Sequence, residues 1–194
     1  IIMNYLMAKK LSKNLIFAEY LKSGQEVRGN GGVPTDVIFA NGVADFSAND
    51  ANIVYGPGRF HKGHFTNYTI HLSCVPYNNA TWQTIFDNRE ANDDGIEVMV
   101  TNAFNGSLRM NVSNRDSSSE LNAGVRNIIT CTYDGNNMAI YLNGVLDTAA
   151  AYGALPIDVS TGFTLGKRNY TTGEDFDGTL ELLEIYDHAL TPEE

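Results

Sequence analysis

Short runs of alternating apolar and polar residues are the dominant pattern along this chain. The clearest are Tyr68–Val75, Ile96–Val100, Leu108–Val112 and Met138–Leu142. Because the side chains of a β-strand point alternately to its two faces, this period of two predicts strands. In the second run, Ile96, Val98 and Val100 fall on one face. Shorter runs predict further strands at Thr84–Phe86, Ile128–Tyr133, Phe163–Leu165 and Thr179–Tyr186.

Turn-forming dipeptides separate these runs. Asp134-Gly135 lies between two predicted strands, Asn143-Gly144 follows the second of them, and Asn105-Gly106 precedes Leu108. These dipeptides favour hairpins because Gly, Asn and Asp tolerate a positive φ. The stretch Gly29-Asn30-Gly31-Gly32 is interpreted as a loop. Many short strands with tight turns predict an all-β fold with antiparallel pairing, either a two-sheet sandwich or a barrel.

The length of 194 residues suits a single domain, since all-β sandwiches of this size commonly form one unit. We expect residues 15–194 to form the sandwich and residues 1–14 to be an N-terminal segment. The chain begins at Ile1 and ends in Thr191–Glu194, which is typical of the first turn of a helix, so we interpret it as part of a longer protein. The apolar stretch Leu15–Ala18 is too short for a signal peptide, and no run is long enough to span a bilayer.

The charge of the chain argues against two classes of partner. Its formal net charge is −10 and its pI is about 4.7. Surfaces that bind nucleic acid need clustered Lys and Arg, as do surfaces that bind acidic membranes. We therefore expect neither nucleic acid nor a membrane as a partner.

Cys74 and Cys131 are the two cysteines of the chain, each in an apolar, β-branched setting. Buried cysteine behaves as a small apolar residue, and we interpret both as buried free thiols. A disulfide between them is the alternative that the sequence leaves open.

Several segments together resemble the pattern of a known family. Tyr133-Asp134-Gly135 followed by Tyr141-Leu142-Asn143-Gly144 resembles its hairpin, and Phe163-Thr164-Leu165-Gly166 resembles the strand that follows. Phe176-Asp177-Gly178, with Ile185-Tyr186 and Ala189-Leu190 further on, is similar to its closing strand. Upstream, Gly42–Phe46 and Thr69–Pro76 are similar to its opening strands. In this order and spacing, the motifs resemble the laminin-G-like domains of the concanavalin A-like lectin and glucanase superfamily.

The resemblance implies a jelly-roll β-sandwich that acts by surface recognition. Such domains occur in adhesion proteins, bacterial surface proteins, glycan-binding modules and phage virion proteins, so the fold alone does not identify one function. The missing secretion signal and the low cysteine count favour a phage or bacterial origin. We accordingly expect the protein on a virion, or outside the cell at its surface.

The superfamily also contains glucanases, whose chemistry needs two carboxylates on one face of a strand. The nearest pair here is Glu181 and Glu184, whose odd spacing predicts opposite faces of a regular strand. Only a bulge would bring them together. The central Asp of the resembled cluster is absent, the sequence has no Gly-x-Ser-x-Gly motif, and His61 and His64 lack a nearby third metal ligand. We expect no enzyme activity, and a glycosidase is the last of the alternatives.

Calcium is the cofactor for which the sequence offers ligands. Hard cations take about six to eight oxygen ligands, and two loops supply carboxylates. One contains Asp93 and Asp94 and is better interpreted as a hairpin turn; the other contains Glu174, Asp175 and Asp177.

Glycan binding would use aromatic rings that stack on the apolar faces of sugars, with amide and carboxyl groups around them. Aromatic or amide side chains in or beside polar loops are the candidates: Tyr77, Trp82, Tyr152, Asn169 and Tyr170. Trp82 is as readily interpreted as a plug at one end of the sandwich. Residues inside predicted strands, namely His71, Tyr133, Tyr141 and Tyr186, are interpreted as structural.

Three hypotheses follow from these observations. The leading one is a noncatalytic module that binds a glycan or a cell-surface polysaccharide. The second is a structural domain of a virus particle, in a decoration, fibre or baseplate protein, whose partners are other virion or surface proteins. The third is a glycoside hydrolase.

Overall fold

The computed structural model describes residues 15–57, 64–78, 81–89, 95–101, 107–110, 115–151, 157–158, 162–169 and 173–194. The regular secondary structure in these ranges is β-strand apart from one short helix. No helix within them is long and apolar enough to cross a membrane. Strands are numbered in chain order below.

Sheet A is the larger sheet. Its strands are β1 (Leu15–Tyr20), β3 (Ile38–Ala40), β4 (Val43–Asp45), β7 (Tyr68–Pro76), β12 (Asn127–Tyr133), β13 (Asn137–Leu142), β14 (Val145–Ala151) and β17 (Gly178–Tyr186). Their spatial order is β14–β13–β12–β7–β17–β4–β3, and β1 also pairs with β17. All of these pairings are antiparallel.

Sheet B faces sheet A across the core. Its strands are β2 (Gly32–Thr35), β5 (Asn52–Tyr55), β8 (Gln83–Asp87), β9 (Glu97–Thr101), β10 (Ser107–Met110), β11 (Arg115–Glu120) and β16 (Phe163–Leu165). Their order is β11–β10–β9–β8–β16–β5–β2, again antiparallel throughout. Two short strands, β6 (His64–Phe65) and β15 (Ile157–Asp158), pair separately. The predicted antiparallel two-sheet sandwich is therefore confirmed, and the two sheets do not close into a barrel.

The core lies between the sheets and is built from the alternate residues of both. In β9 and just before it, Ile96, Val98 and Val100 all point into this core, as their alternation predicted. The ring of Phe163 stacks on that of Tyr55 with centroids 4.5 Å apart. Fully burying one large apolar side chain stabilises a fold by about 1.5–3 kcal/mol, so this shared core holds the two sheets together.

The two cysteines lie in this core as free, buried thiols, on the neighbouring strands β7 and β12. Burial raises the pKa of Cys74 and of Cys131 to about 12, because the apolar surroundings disfavour the thiolate. The interpretation of both as free thiols is confirmed, and they are expected to be unreactive in the folded protein.

The stretch of glycines near the start is not a simple loop. Helix α1 (Gly24–Gly29) ends within it, and β2 begins at its last residue. Ser23 caps the helix by accepting a hydrogen bond from the Glu26 amide at 3.2 Å. A Cβ atom on Gly32 would lie 2.6 Å from Val27, so this glycine allows the helix to pack closely on the sheet. The interpretation of the whole stretch as a loop was therefore wrong at its two ends, where Gly29 belongs to the helix and Gly32 to β2.

The turn predictions hold where the structure describes them. Asn143 and Gly144 have φ values of 52° and 80° and connect β13 to β14 as a hairpin. At the turn between β12 and β13, the Asp134 carboxylate accepts hydrogen bonds from the amides of Asn136 and Asn137, and the hydrogen bonds to Asn137 and Asn136 lower the pKa of Asp134. Asn105-Gly106 lies outside the described residues.

A β-bulge interrupts β17 and decides which of its side chains face outward. Leu180 pairs with Cys74 of β7, and Leu182 pairs with the next residue, Ser73, so that Glu181 is an extra residue. Leu180 and Leu183 point into the core. Glu181 therefore lies on the outer side of sheet A together with Leu182 and Glu184.

Candidate functional site

The outer face of sheet A, on the side away from sheet B, contains an open pocket of about 180 Å³. Alternation along β7 sends Ile70 and Leu72 inward, so His71 between them points outward. The strands β7, β12, β13 and β17 form the floor, and the segment that follows β17 forms one wall. The lining residues are His71, Thr130, Thr132, Tyr141, Gly144, Glu184, Tyr186, Leu190, Thr191, Pro192 and Glu194. We call this the sheet A pocket.

His71 and Thr130 are cross-strand neighbours in the pocket floor. They pair across β7 and β12, and Nδ1 of His71 lies 2.9 Å from Oγ1 of Thr130. Burial lowers the pKa of His71 because it disfavours the imidazolium, and the charge of Glu184 opposes that effect in part. The ring is therefore neutral at pH 7 and can act as a hydrogen-bond donor and acceptor.

Glu184 and Tyr186 lie two residues apart on the outer face of β17. The Tyr186 hydroxyl donates a hydrogen bond of 2.8 Å to Oε2 of Glu184. Burial, with the nearby carboxylate, raises the pKa of Tyr186, which stays protonated. Among the described residues, Oε1 of Glu184 receives no hydrogen bond. The pocket thus presents a positioned carboxylate with remaining capacity to accept hydrogen bonds.

The wall of the pocket is tied to the sheet through Thr69. Its hydroxyl donates to the carbonyl oxygen of His188 and accepts from the amide of Leu190, both at 2.9 Å. The amide of Thr191 donates to Oε2 of Glu194 at 3.1 Å. These contacts fix the segment after β17 beside the pocket.

A regular strand would place Glu181 and Glu184 on opposite faces, but the bulge at Glu181 changes the alternation between them. Both are on the outer face, yet they have different partners. Glu181 accepts a hydrogen bond of 3.1 Å from Ser73 and forms an ion pair with Arg126. Glu184 interacts with Tyr186 and faces the pocket.

The outer face of sheet B has a different character, since it contains a group of charged residues that are buried. Asp87, Arg89 and Glu97 are at most 1% exposed. Nε of Arg89 lies 3.1 Å from the Asp87 carboxylate, and its Nη2 lies 2.5 Å from that of Glu97. Thr84 adds a hydrogen bond of 2.7 Å to Glu97. Burial raises the pKa of Asp87, although hydrogen bonds from the amides of Asn169 and Arg89 and the charge of Arg89 oppose the rise. We call these residues, with Arg168 and Glu174, the sheet B ion network.

The network continues to the loop after β16. Nη1 of Arg168 lies 2.9 Å from the Glu174 carboxylate, and its Nε lies 3.7 Å from that of Glu97. Burial raises the pKa of Glu174, and Arg168 partly offsets this. Asn169, a predicted ligand-binding residue, donates its backbone amide to Asp87 at 2.8 Å and its side-chain amide to the Arg89 carbonyl at 3.0 Å. These contacts join Asn169 to the network, and its role in ligand binding stays a prediction.

Two other predicted ligand-binding residues lie at one end of the sandwich. Tyr77 is exposed, and its hydroxyl donates to Asp45 at 3.1 Å. Trp82 is half-buried beside Gln83. Gln83 donates to Asn78 at 2.9 Å and accepts from the Asp177 amide at 2.9 Å. The structure does not bring Tyr77 and Trp82 into the sheet A pocket, and their role in binding stays a prediction.

The carboxylates of the predicted calcium loop are directed to separate partners. Glu174 pairs with Arg168, Asp175 accepts from the Asp50 amide at 3.3 Å, and Asp177 accepts from Asn78 at 2.5 Å. In the part of the chain that the structure describes, no group of three or more His, Cys, Asp or Glu is placed to hold a metal ion.

Other predicted site residues lie outside the described residues: Asp93, Asp94, Tyr152 and Tyr170. Calcium binding by either loop therefore stays a prediction.

Sequence reasoning missed the sheet A pocket. His71, Tyr141 and Tyr186 were interpreted as structural because they lie inside strands, but all three line it. The signal was the alternation itself, which placed these polar and aromatic side chains on the outer face of neighbouring strands.

The fold and this outer-face pocket define the class of protein as a concanavalin A-like β-sandwich. Residues 41–194 match the family described as the concanavalin A-like lectin/glucanases superfamily, in its laminin-G-like branch, and the chain belongs to that family. A comparison with curated proteins found none that matches.

Three solved structures illustrate the likeness in fold. One is domain 4 of AbnA, a GH43 extracellular arabinanase from Geobacillus stearothermophilus, in complex with arabinotriose: 17% identity, 93% of this chain and 95% of that chain, TM-score 0.64. Another is botulinum neurotoxin type C, whose cell entry is dependent upon interaction with two ganglioside molecules. The match has 14% sequence identity and a TM-score of 0.72, and it covers 96% of this chain and 50% of that chain. A third is a heptameric SAP-like pentraxin from Limulus polyphemus, with 21% sequence identity and a TM-score of 0.56 over 67% of this chain and 68% of that chain.

Proposed function

We propose that this protein is a noncatalytic module that binds a glycan in the sheet A pocket. The observation that carries the proposal is the composition of that pocket, in which two tyrosines, a histidine, threonines and two carboxylates line one open cavity. A binding site of this kind combines ring surfaces with a few polar groups that fix the orientation of the ligand.

Each part of the pocket has a counterpart in a sugar. The half-buried ring of Tyr141 offers a flat surface for the apolar face of a sugar ring. His71 and Glu184 supply groups that accept hydrogen bonds from sugar hydroxyls, and the hydroxyl of Thr130 can both donate and accept hydrogen bonds. The hydrogen bonds to Thr69 hold the wall in place before a ligand binds, which lowers the entropy cost of binding.

Relatives in fold support the same class of ligand. The arabinanase domain was solved with arabinotriose and the neurotoxin interacts with gangliosides, although this chain spans only half of the neurotoxin chain. These likenesses concern the fold, so the choice of glycan rests on the pocket itself.

A catalytic role has less support than binding. Glycosidases need two carboxylates that both face the scissile bond. Of the two glutamates on β17, Glu184 faces the pocket, whereas Glu181 forms an ion pair with Arg126 outside its lining. The other carboxylate of the lining, Glu194, accepts a hydrogen bond from the amide of Thr191 in the wall. Binding without bond cleavage therefore fits the described contacts better.

A glycan array, probed in calcium and again in EDTA, tests the proposal when Tyr141→Ala and Tyr77→Ala are compared with the unchanged protein. Both changes remove one tyrosine ring from a surface position. We expect Tyr141→Ala to weaken binding at least tenfold, because the ring lines the pocket, and Tyr77→Ala to leave it within about twofold. Circular dichroism checks that both variants are folded.

Other results would redirect the proposal. Loss of binding in Tyr77→Ala alone would move the site to the end of the sandwich near Trp82. Loss in EDTA would support calcium ligands at Asp175 and Asp177. Absence of binding to every glycan on the array by the folded protein would contradict the proposed function.

A structural domain of a virus particle or cell surface, contacting other proteins, remains the second candidate. Its support is an exposed apolar pair on sheet B, Val33 and Val54, which lie side by side on β2 and β5. Apolar surface of this kind can mark a protein contact. A folded protein that binds no glycan but self-associates in analytical ultracentrifugation would favour this candidate.

A further inference from the structure

The charged side chains among the described residues that line the sheet A pocket are of one sign. The titratable residues in this described lining are His71 of β7, Tyr141 of β13, Glu184 and Tyr186 of β17, and Glu194 of the wall. Neither lysine nor arginine is among the described lining residues. Counted formally at pH 7, Glu184 and Glu194 contribute a charge of about −2 to this lining.

The contacts among the described residues do not cancel this charge. Arg126, which precedes β12, is already in an ion pair with Glu181. His188 lies 3.5 Å from Glu194 and balances it only when protonated. The whole chain adds to the effect, since its formal net charge is −10. An anionic ligand would approach a negative protein and enter a negative pocket.

The hydrogen-bonding capacity of the pocket points the same way. Glu184 can only accept hydrogen bonds, and its Oε2 already receives one from Tyr186. A sugar hydroxyl or ammonium can donate to the carboxylate, whereas a carboxylate or sulfate on the sugar cannot. A buried pair of like charges costs free energy even when its geometry is good.

Resting on the proposed function, we infer that the sheet A pocket selects sugars that carry no negative charge and that Glu184 is the residue that excludes anionic sugars. Sialylated, sulfated and uronate-containing glycans are poor ligands when the charged unit is the one that enters the pocket. Neutral and amine-bearing units are the preferred class.

Matched pairs of glycans that differ only in charge test this inference. The probes are lactose against 3′-sialyllactose, cellotetraose against its C6-oxidised glucuronate counterpart, and every neutral and acidic pair present on the array. We expect the neutral member of each bound pair to bind at least tenfold more tightly at pH 7. The difference should shrink as salt is raised, because screening weakens charge repulsion.

Glu184→Gln is the matched variant, since it keeps the shape of the side chain and its ability to accept a hydrogen bond from Tyr186. We expect it to weaken the binding of neutral glycans, because Glu184 accepts hydrogen bonds from sugar hydroxyls, and to reduce the ratio of neutral to acidic affinity to less than about threefold. Glu181→Gln, which removes a charge beside the pocket rather than in its lining, is the control and should leave the discrimination unchanged.

The outcomes separate this inference from the proposed function. Equal or tighter binding of the acidic members by the unchanged protein would overturn the inference and leave glycan binding intact. Discrimination that survives in Glu184→Gln would overturn the role of Glu184. Absence of binding across the whole array would overturn both.

Discussion

The outer faces of the two sheets carry similar kinds of polar and charged residues, but these residues differ in burial and in pairing. On sheet B, Asp87, Arg89 and Glu97 are buried and ion-paired with one another. On sheet A, Glu184 and His71 are half-buried and line an open pocket. The same strand alternation places both groups. Polar residues that are buried and satisfied serve the fold, whereas those that keep spare hydrogen-bonding capacity are available to a ligand.

This difference has an energetic basis. A buried charge loses its hydration and must be compensated by its neighbours. Removal of one partner therefore leaves the other charge buried without compensation for its desolvation free energy. A half-buried polar group keeps part of its contact with water and depends less on any one partner. The two faces should therefore respond differently to equivalent substitutions.

The largest expected effect is the removal of the cation from the sheet B ion network. Arg89→Met leaves Asp87 and Glu97 buried without their shared partner and should lower the free energy of unfolding by about 3–5 kcal/mol. Urea denaturation followed by circular dichroism measures it.

Arg126→Met is its control, because Arg126 is 61% exposed and pairs with Glu181 at the surface. The control should cost less than about 1 kcal/mol. A variant Arg89→Met that fails to fold agrees with the prediction, whereas equal losses in the two variants would remove the contrast between the faces.

A smaller effect is expected from the loss of one hydroxyl on each face. Thr84→Val removes the hydrogen bond to buried Glu97 and should cost about 1–3 kcal/mol, because an acceptor is left unsatisfied. Thr130→Val removes the contact with His71 in the open pocket and should cost less than about 1 kcal/mol. Thermal and urea unfolding of the two variants compare them directly, and a larger loss for Thr130→Val would contradict the comparison.

The smallest effect concerns pH. The pKa of His71 is lowered from 6.5, so the folded protein favours the neutral ring. This contribution to stability is fully present above pH 6.5 and is lost as the pH falls through the lower value of the folded protein. Titration of the His71 ring signals by NMR, with the urea-unfolded protein as the reference, measures it. A folded pKa above 6.5 would show that Glu184 outweighs burial.

The strands with clear alternation could be predicted from the sequence because their inward positions are apolar and their outward positions polar, as in β9 and β13. The polar strand β11 (Arg115–Glu120) gives no such signal. Its neighbours hold it instead, since the Asp147 carboxylate of β14 accepts hydrogen bonds from the amides of Ser118 and Ser119. Strands stabilised by pairing rather than by burial remain hidden in a single sequence.

The site was harder to predict than the fold for two physical reasons. The sheet A pocket depends on register, since His71 and Glu184 lie 113 positions apart and become neighbours only through the pairing of β7 with β17. It also depends on the bulge at Glu181. In a regular strand with Leu180 in the core, the alternation would have turned Glu184 inward as well, away from the pocket. Loop aromatics such as Tyr77 are predicted as binding residues because a position in a polar loop indicates exposure. The sequence alone does not show which side chains of a central strand lie on its outer face.

The bulge in β17 also divides one strand edge between two partners. β4 pairs with Leu180 on one side of Glu181, β1 pairs with Leu182 on the other, and the Glu181 carbonyl accepts the amide of Leu21. An uncovered edge of this length is a template for association between chains. The segment matched by the family begins at residue 41, after β1. The N-terminal strand thus covers half of this edge of β17, and the sandwich includes a strand that precedes the matched segment.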